Sequence, residues 1–241
     1  MMNKIGLFFI VGIFASCSVT KNEQKNASVS KIGYNNYAES VRDAIIADSS
    51  ELPDNLIVVS PENSKLRWNA AKDSVLVCSF FNGSYKNSYP VGKQITVSWG
   101  EMWVTTVPEL QTVMTSFSNI SDEKLRTEQL LGLPPNTKNT HIVEFLVSPN
   151  DLFRPAPDKE ISDSKSQLFY TDFSDTAHRQ WFADKLLTSY HTANPYPWTR
   201  LGYTYDWGNP ATEVGLSEFV ISKGSTISIK AIYSLEDYLK K

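Results

Sequence analysis

Residues 194–209 read N-P-Y-P-W-T-R-L-G-Y-T-Y-D-W-G-N and hold five aromatics: Tyr196, Trp198, Tyr203, Tyr205 and Trp207. Arg200 and Asp206 lie among them, and Pro195, Pro197, Gly202 and Gly208 punctuate the backbone. So much rigid, bulky surface in one stretch makes it either the packing corner of the fold or the floor of a site. If residues 201–207 are extended, Leu201, Tyr203, Tyr205 and Trp207 share one face, and Gly202, Thr204 and Asp206 the other. The first face is the core candidate. The second is small and polar, a surface where a ligand can approach the backbone. Tyr196 and Trp198 precede it in a Pro-stiffened loop. Tyr196, Trp198, Arg200 and Asp206 are therefore the ligand-binding candidates, with the remaining aromatics as scaffold.

The rest of the chain supplies an ordinary framework. Residues 34–48 place Tyr34, Tyr37, Ala38, Val41, Ala44 and Ile45 at helical spacing. Residues 56–60 and 65–68 are short candidate strands, and 74–81 (S-V-L-V-C-S-F-F) is a buried one. Residues 94–99 alternate, and 102–107 resume an extended pattern. Pro108 suits a helix start, and Leu110, Val113, Met114 and Phe117 form one stripe. Ser121 is placed to cap a second helix and Gly132 to close it. His141, Val143, Phe145 and Val147 share a face of the next strand, opposite Ile142, Glu144 and Leu146. Residues 149–166 read as a long surface loop, and 167–173 as a short strand. Ser174 is placed to cap a helix to about Tyr190, with Trp181, Phe182, Leu186 and Tyr190 inward. Residues 201–207 are expected to pair into the sheet. Residues 213–222 and 225–233 look like a hairpin around Lys223-Gly224, and Ser234 caps a last helix. The pattern predicts an α+β fold: a mostly antiparallel sheet with several packed helices in a single domain. At 241 residues, 41% of them apolar, such a core suffices without a disulfide.

Chemical motifs are sparse. Cys78 shares a strand face with Leu76 and Phe80, which predicts a packed, unreactive thiol rather than a nucleophile served by His141 or His178. The three histidines show no H-x-x-x-H, H-x-H or H-E-x-x-H spacing, so no metal is expected. His178 precedes Trp181 and Phe182 by three and four residues, which suits packing at a helix edge. There is no G-x-S-x-G, S-x-x-K, P-loop or dinucleotide fingerprint, so no cofactor is expected either. Basic residues are scattered and the net charge is -3, which points away from nucleic acid. Carboxylates are the remaining catalytic option. Asp206, Glu213 and Glu218 follow the aromatic stretch, and a pair of them flanking an aromatic floor would suit glycan hydrolysis. The leading expectation is a binding domain for a glycan or protein ligand; the alternative is a hydrolase using Asp206, Glu213 or Glu218.

The beginning of the chain speaks to location. Lys4 is followed by about eleven apolar residues, too few for the roughly 20 of a membrane span. They have the shape of a secretory signal's apolar region. The run ends Phe14-Ala15-Ser16-Cys17, which resembles the lipobox of bacterial lipoproteins, with Phe14 where that family usually has an aliphatic residue. The resemblance covers residues 1–17. It implies a signal peptide over 1–16, lipidation of Cys17, a membrane anchor through that lipid, and a place in the bacterial cell envelope. Ser18 is not Asp, which by the same resemblance points to the outer rather than the inner membrane. Residues 17–33 are rich in Lys, Asn and Ser and read as a flexible tether, leaving 34–241 as the globular domain.

Overall fold

The apolar run at residues 74–81 becomes the middle of a sheet. The structure, a computed structural model, describes residues 36–173 and 175–241. Strand β1 is Val75–Phe81; β2 is Gln94–Thr96, β3 Met102–Thr106, β4 His141–Val147, β5 Leu152–Phe153, β8 Phe219–Ile221 and β9 Thr226–Ser234. These pair antiparallel in the order β2-β9-β4-β1-β3-β8-β5. A separate two-stranded sheet joins β6 (Tyr203–Tyr205) to β7 (Val214–Ser217). The helices are α1 (residues 36–43), α2 (Glu109–Ser116), α3 (Glu123–Leu130), α4 (Thr176–Tyr190) and α5 (Leu235–Leu239). The fold is α+β in one domain, as the sequence pattern predicts. The signal peptide, the tether, Cys17, Tyr34 and Ser174 lie outside the described residues.

The sheet has a core on each face. From β1, Val75, Val77 and Phe81 join Met102, Val104, Val143, Phe145, Phe219, Ile221, Ile227 and Ile229 in one cluster. Cys78 and Phe80 point the other way, onto Leu110 and Met114 of α2, Leu130 of α3, and Leu235 and Tyr238 of α5. Both clusters follow from period-two alternation, and each fully buried side chain of this size is worth about 1.5–3 kcal/mol. The predicted inert thiol is found here: Cys78 is 1% exposed and Tyr238 Oη donates to its Sγ at 3.5 Å. Burial pushes the thiol up to about 12.

Strands β8 and β9 do not form the hairpin that Lys223-Gly224 suggests. Three strands, β3, β1 and β4, separate them. Four residues, 222–225, link their ends and reach at most about 18 Å. Four inter-strand steps in a flat sheet already cover about 19 Å laterally. The register adds an axial offset, since Ile221 lies level with Met102 and Phe81, whereas Ser228 lies level with Leu146 and Leu76. The sheet must therefore curl until its two sides approach. Val97 and Ile227 from one side accordingly share a cluster with Leu152 and Ile221 from the other. This first cluster fills the curl, and the helices coat its outside.

Helix boundaries follow local chemistry. Asp122, one residue after the expected Ser121, caps α3 by accepting from Leu125 N. Gly132 takes φ +64°, with Gly132 N donating to Gln129 O and Leu133 N to Glu128 O, the paired bonds of a Schellman turn. Asp175 accepts from His178 N at the start of α4. Residues 56–60, 65–68 and 167–173 form no strand, although Leu56 N and Val59 N donate to Ser164 O and Ile161 O. Residues 201–207 miss the main sheet; only Tyr203–Tyr205 is a strand, in the small one.

The expected surface loop at 149–166 is instead partly buried around Arg154. Its Nη1 donates to Lys165 O at 2.5 Å and Asp163 Oδ1 at 3.3 Å, and its Nη2 to Asp163 O at 2.8 Å. Gly202, at φ +78°, packs on its stem; a Cβ there would stand 2.5 Å from Arg154 Cδ. Gly92 has a similar φ of +80° but open space around it. Gly92→Ala should therefore show only the left-handed backbone penalty, about 1–2 kcal/mol. Gly202→Ala should lose a further 1–3 kcal/mol or so through overpacking. Urea denaturation of the two variants checks this; equal losses would mean that Arg154 yields.

Candidate functional site

The aromatic stretch is a hub, and its polar members are spent holding it. Tyr205 Oη donates to Asp43 Oδ2 at 2.7 Å, Tyr203 Oη to Glu51 O at 3.2 Å, and Trp207 Nε1 to Leu133 O at 2.9 Å. Asp206, 1% exposed, accepts from Arg126 Nη1 and Nη2 at 2.8 and 2.5 Å. That bidentate pair consumes the carboxylate. Arg200 Nη2 donates to Ala44 O and Ile45 O, the free carbonyls just past α1. Thr204, 6% exposed, donates to Leu130 O and accepts from Leu216 N. The face expected to be a polar surface is therefore as buried as its apolar partner. In β-structure, faces alternate, but a layer on each side can bury both.

Tyr196 and Trp198 meet in one place. They line a cavity of about 440 Å³ with Trp103, Tyr203, Tyr205, Lys185 and Glu218. Trp198 is not a free loop residue: it is 5% exposed, with ring centroids 5.0 Å from Phe182, 6.0 Å from Trp181 and 6.1 Å from Trp103. Tyr190 Oη donates to its carbonyl. Its own Nε1 is buried with no hydrogen-bond partner among the described residues. Tyr196 remains 44% exposed. The Schellman turn of α3 closes one wall with Leu131, Gly132 and Leu133. A second cavity of about 290 Å³ shares Trp103, Leu131, Leu133, Thr204 and Glu218 with the first and adds Glu101 and Cys78.

Glu218 is the group common to both cavities that has chemistry to offer. Continuing the β3–β8 register by one step sets it opposite Thr105, on the helix-coated face. Its backbone N–H donates to Gly202 O. Its carboxyl has no hydrogen-bond or ion-pair partner among the described residues, and burial pushes it up to about 8. It is only half-buried, its free surface opening onto the cavities. The other acids nearby are occupied. Glu101 accepts from Trp181 Nε1 at 2.8 Å and Trp103 Nε1 at 3.3 Å, and pairs with Lys185. Glu109 accepts from Thr105, Thr106 and Ser217 N. Glu144 is held by Lys241 at 2.8 and 2.9 Å.

Of the carboxylates named from sequence, only Glu218 reaches this place. Asp206 and Glu213 line a different groove beside α1, with Asp43 and Glu39. Sequence reading missed Trp103, Glu101 and Lys185, which come from segments 80 and more residues apart and carry no shared motif. His178 packs as expected, stacked on Trp181 at 5.6 Å, with Nε2 2.7 Å from Ala156 O. Among the described residues no helix is long and apolar enough to cross a membrane. Compared with known proteins, the chain matches no family model, no curated protein and no solved structure.

Two outcomes are expected. Trp198→Ala should destabilise by about 3–5 kcal/mol, and Tyr196→Ala, at the exposed rim, by under about 0.5; thermal melts of both check this. Glu218 carries its proton in the folded state well above the pH at which an unfolded glutamate loses it. Folding therefore weakens as pH rises from about 4.5 to about 8, by at most about 1.4 kcal/mol per pH unit. Glu218→Gln should remove that slope, leaving the variant more stable than wild type at pH 8 and little changed at pH 4. Parallel urea titrations across that range would refute the assignment if the slopes coincide.

Proposed function

We propose that this chain is a lipid-anchored protein of the bacterial cell envelope whose globular domain binds a small ring-bearing or apolar-faced ligand in the Trp103–Trp198 cavity, without turning it over. The observation that carries the binding role is the unpartnered Glu218 carboxyl in an aromatic-walled space of ligand size. A partly buried carboxyl that no side chain answers, open onto a cavity, is a group a ligand can complete. The anchoring role rests on the lipobox-like Phe14–Cys17 run alone.

A hydrolase acting on glycans is the second reading, and one observation favours it. Glu101 lines the smaller cavity with Glu218. One acid is protonated and unpaired while the other is ion-paired with Lys185, the division of labour a general acid and a base require. In this reading Glu218 stands alone among Asp206, Glu213 and Glu218, because the other two line the groove beside α1.

The test takes the full chain purified in detergent and titrates it with phenol and with methyl β-D-glucopyranoside by calorimetry. Saturable binding in the millimolar range, lost when Leu131→Trp fills the junction of the cavities, supports the binding role. Absence of heat with every probe, or heat that survives the filled cavity, overturns it. Hydrolysis of a chromogenic glycoside that disappears in Glu218→Gln would replace it with the second reading. Cys17→Ala should release the protein from membranes or leave it unprocessed; an unmodified Cys17 in intact mass would remove the anchor.

A further inference from the structure

Resting on the cavity reading above, we infer that the ligand is a cation, an amine or quaternary ammonium group seated in the cavity that Trp103, Trp198, Tyr196 and Tyr205 line, with Glu218 as its counter-charge. Trp103 and Trp198 meet edge to face, 87° apart with centroids at 6.1 Å, and both border the cavity. Tyr196 and Tyr205 line the same space. Aromatic faces carry negative quadrupole density and attract a cation within about 6 Å, most strongly when water is excluded.

Charge matching points the same way. The fixed charges at the cavity are Glu101 and Lys185, and these pair with each other. Glu218 is left as the one acid there with no partner among the described residues. An anion would meet no free positive group. A neutral ligand would leave the acid protonated and the ring faces without a partner charge.

The remaining titratable groups around Glu218 do not compete. Burial raises the hydroxyls of Tyr89 beside β1, Tyr190 of α4, and Tyr203 and Tyr205 of β6. Cys78 of β1 is likewise raised by burial, to about 12. Glu109 of α2 is raised by burial too, and its oxygens are held by Thr105, Thr106 and Ser217. The Tyr196 phenol is the last group in the lining. A cation needs Glu218 ionised, so with the carboxyl titrating at about 8 its apparent affinity should rise about tenfold per pH unit below that point.

Calorimetric titration of the full chain in detergent with choline, and with its uncharged isostere 3,3-dimethylbutan-1-ol, tests the inference. Choline should bind about fifty-fold more tightly at pH 8 than at pH 6, and the isostere should be weaker than choline at pH 8 and indifferent to pH. Glu218→Gln should bring choline down to the isostere and flatten its pH profile. Trp103→Leu, which keeps apolar bulk but removes a ring, should weaken choline more than the isostere. Equal affinities for the two compounds, or a choline affinity flat in pH, overturn the cation assignment and leave the cavity reading intact. Binding of phenol or the glucoside without choline does the same. If no probe binds, the cavity reading falls and takes this inference with it.

Discussion

A four-residue link between β8 and β9 holds two parallel-running strands that are four steps apart in one sheet. No flat sheet satisfies that distance, so the sheet curls and encloses one face. Everything else inherits this geometry. The enclosed face must be filled by side chains alone, and β-branched and aromatic residues do so. The other face cannot be left to water because it too is largely apolar, so α2, α3, α5 and the aromatic stretch coat it. The coat is less continuous than the filling. Where α4, the α3 turn and the aromatic stretch meet the outside of β3 and β8, they leave the two cavities.

That outer face also collects the chain's buried polarity. Cys78 lies opposite Glu144 on one side and Thr105 on the other, so Glu144, Cys78, Thr105 and Glu218 run in a row across four strands. Each member but the last is answered: Glu144 by Lys241, Cys78 by Tyr238, Thr105 by Glu109. Within this row, Glu218 alone is left without a partner among the described residues. Keeping Glu218 lowers stability at neutral pH, and proteins retain such losses where function requires them.

Much of this was legible in the sequence wherever the signal is local. The strands at β1, β3 and β4 announce themselves by apolar density and alternation, α2 by its Leu110–Met114 stripe, and the end of α3 by Gly132. What failed was pairing. Lys223-Gly224 does make a turn, with Gly224 at φ +94°, but turn chemistry does not say which strands the turn joins. The same limit misled the site. Asp206 and Arg200 look free in sequence because their partners, Arg126 and the carbonyls of residues 44 and 45, are 80 to 156 positions away. Trp198 looks exposed because a Pro-flanked tryptophan gives no sign of the α4 aromatics that cover it. Glu218 was visible as one carboxylate among three; only its unpartnered place in the lining of both cavities distinguishes it.

The position of β9 has a temporal side. It lies between β2 and β4, and its residues 226–234 are close to the end of the sequence. A nascent chain that has made β1, β3 and β4 therefore still presents β4 as an open edge, and β2 has nothing to pair with. The curl cannot close, nor its interior dry, until the last strand has been made. Non-local pairing of this kind is slow to form, and an incomplete edge is vulnerable to wrong partners meanwhile. The sheet thus stays incomplete on one side until residues 226–234 join it, whatever the earlier strands have already paired.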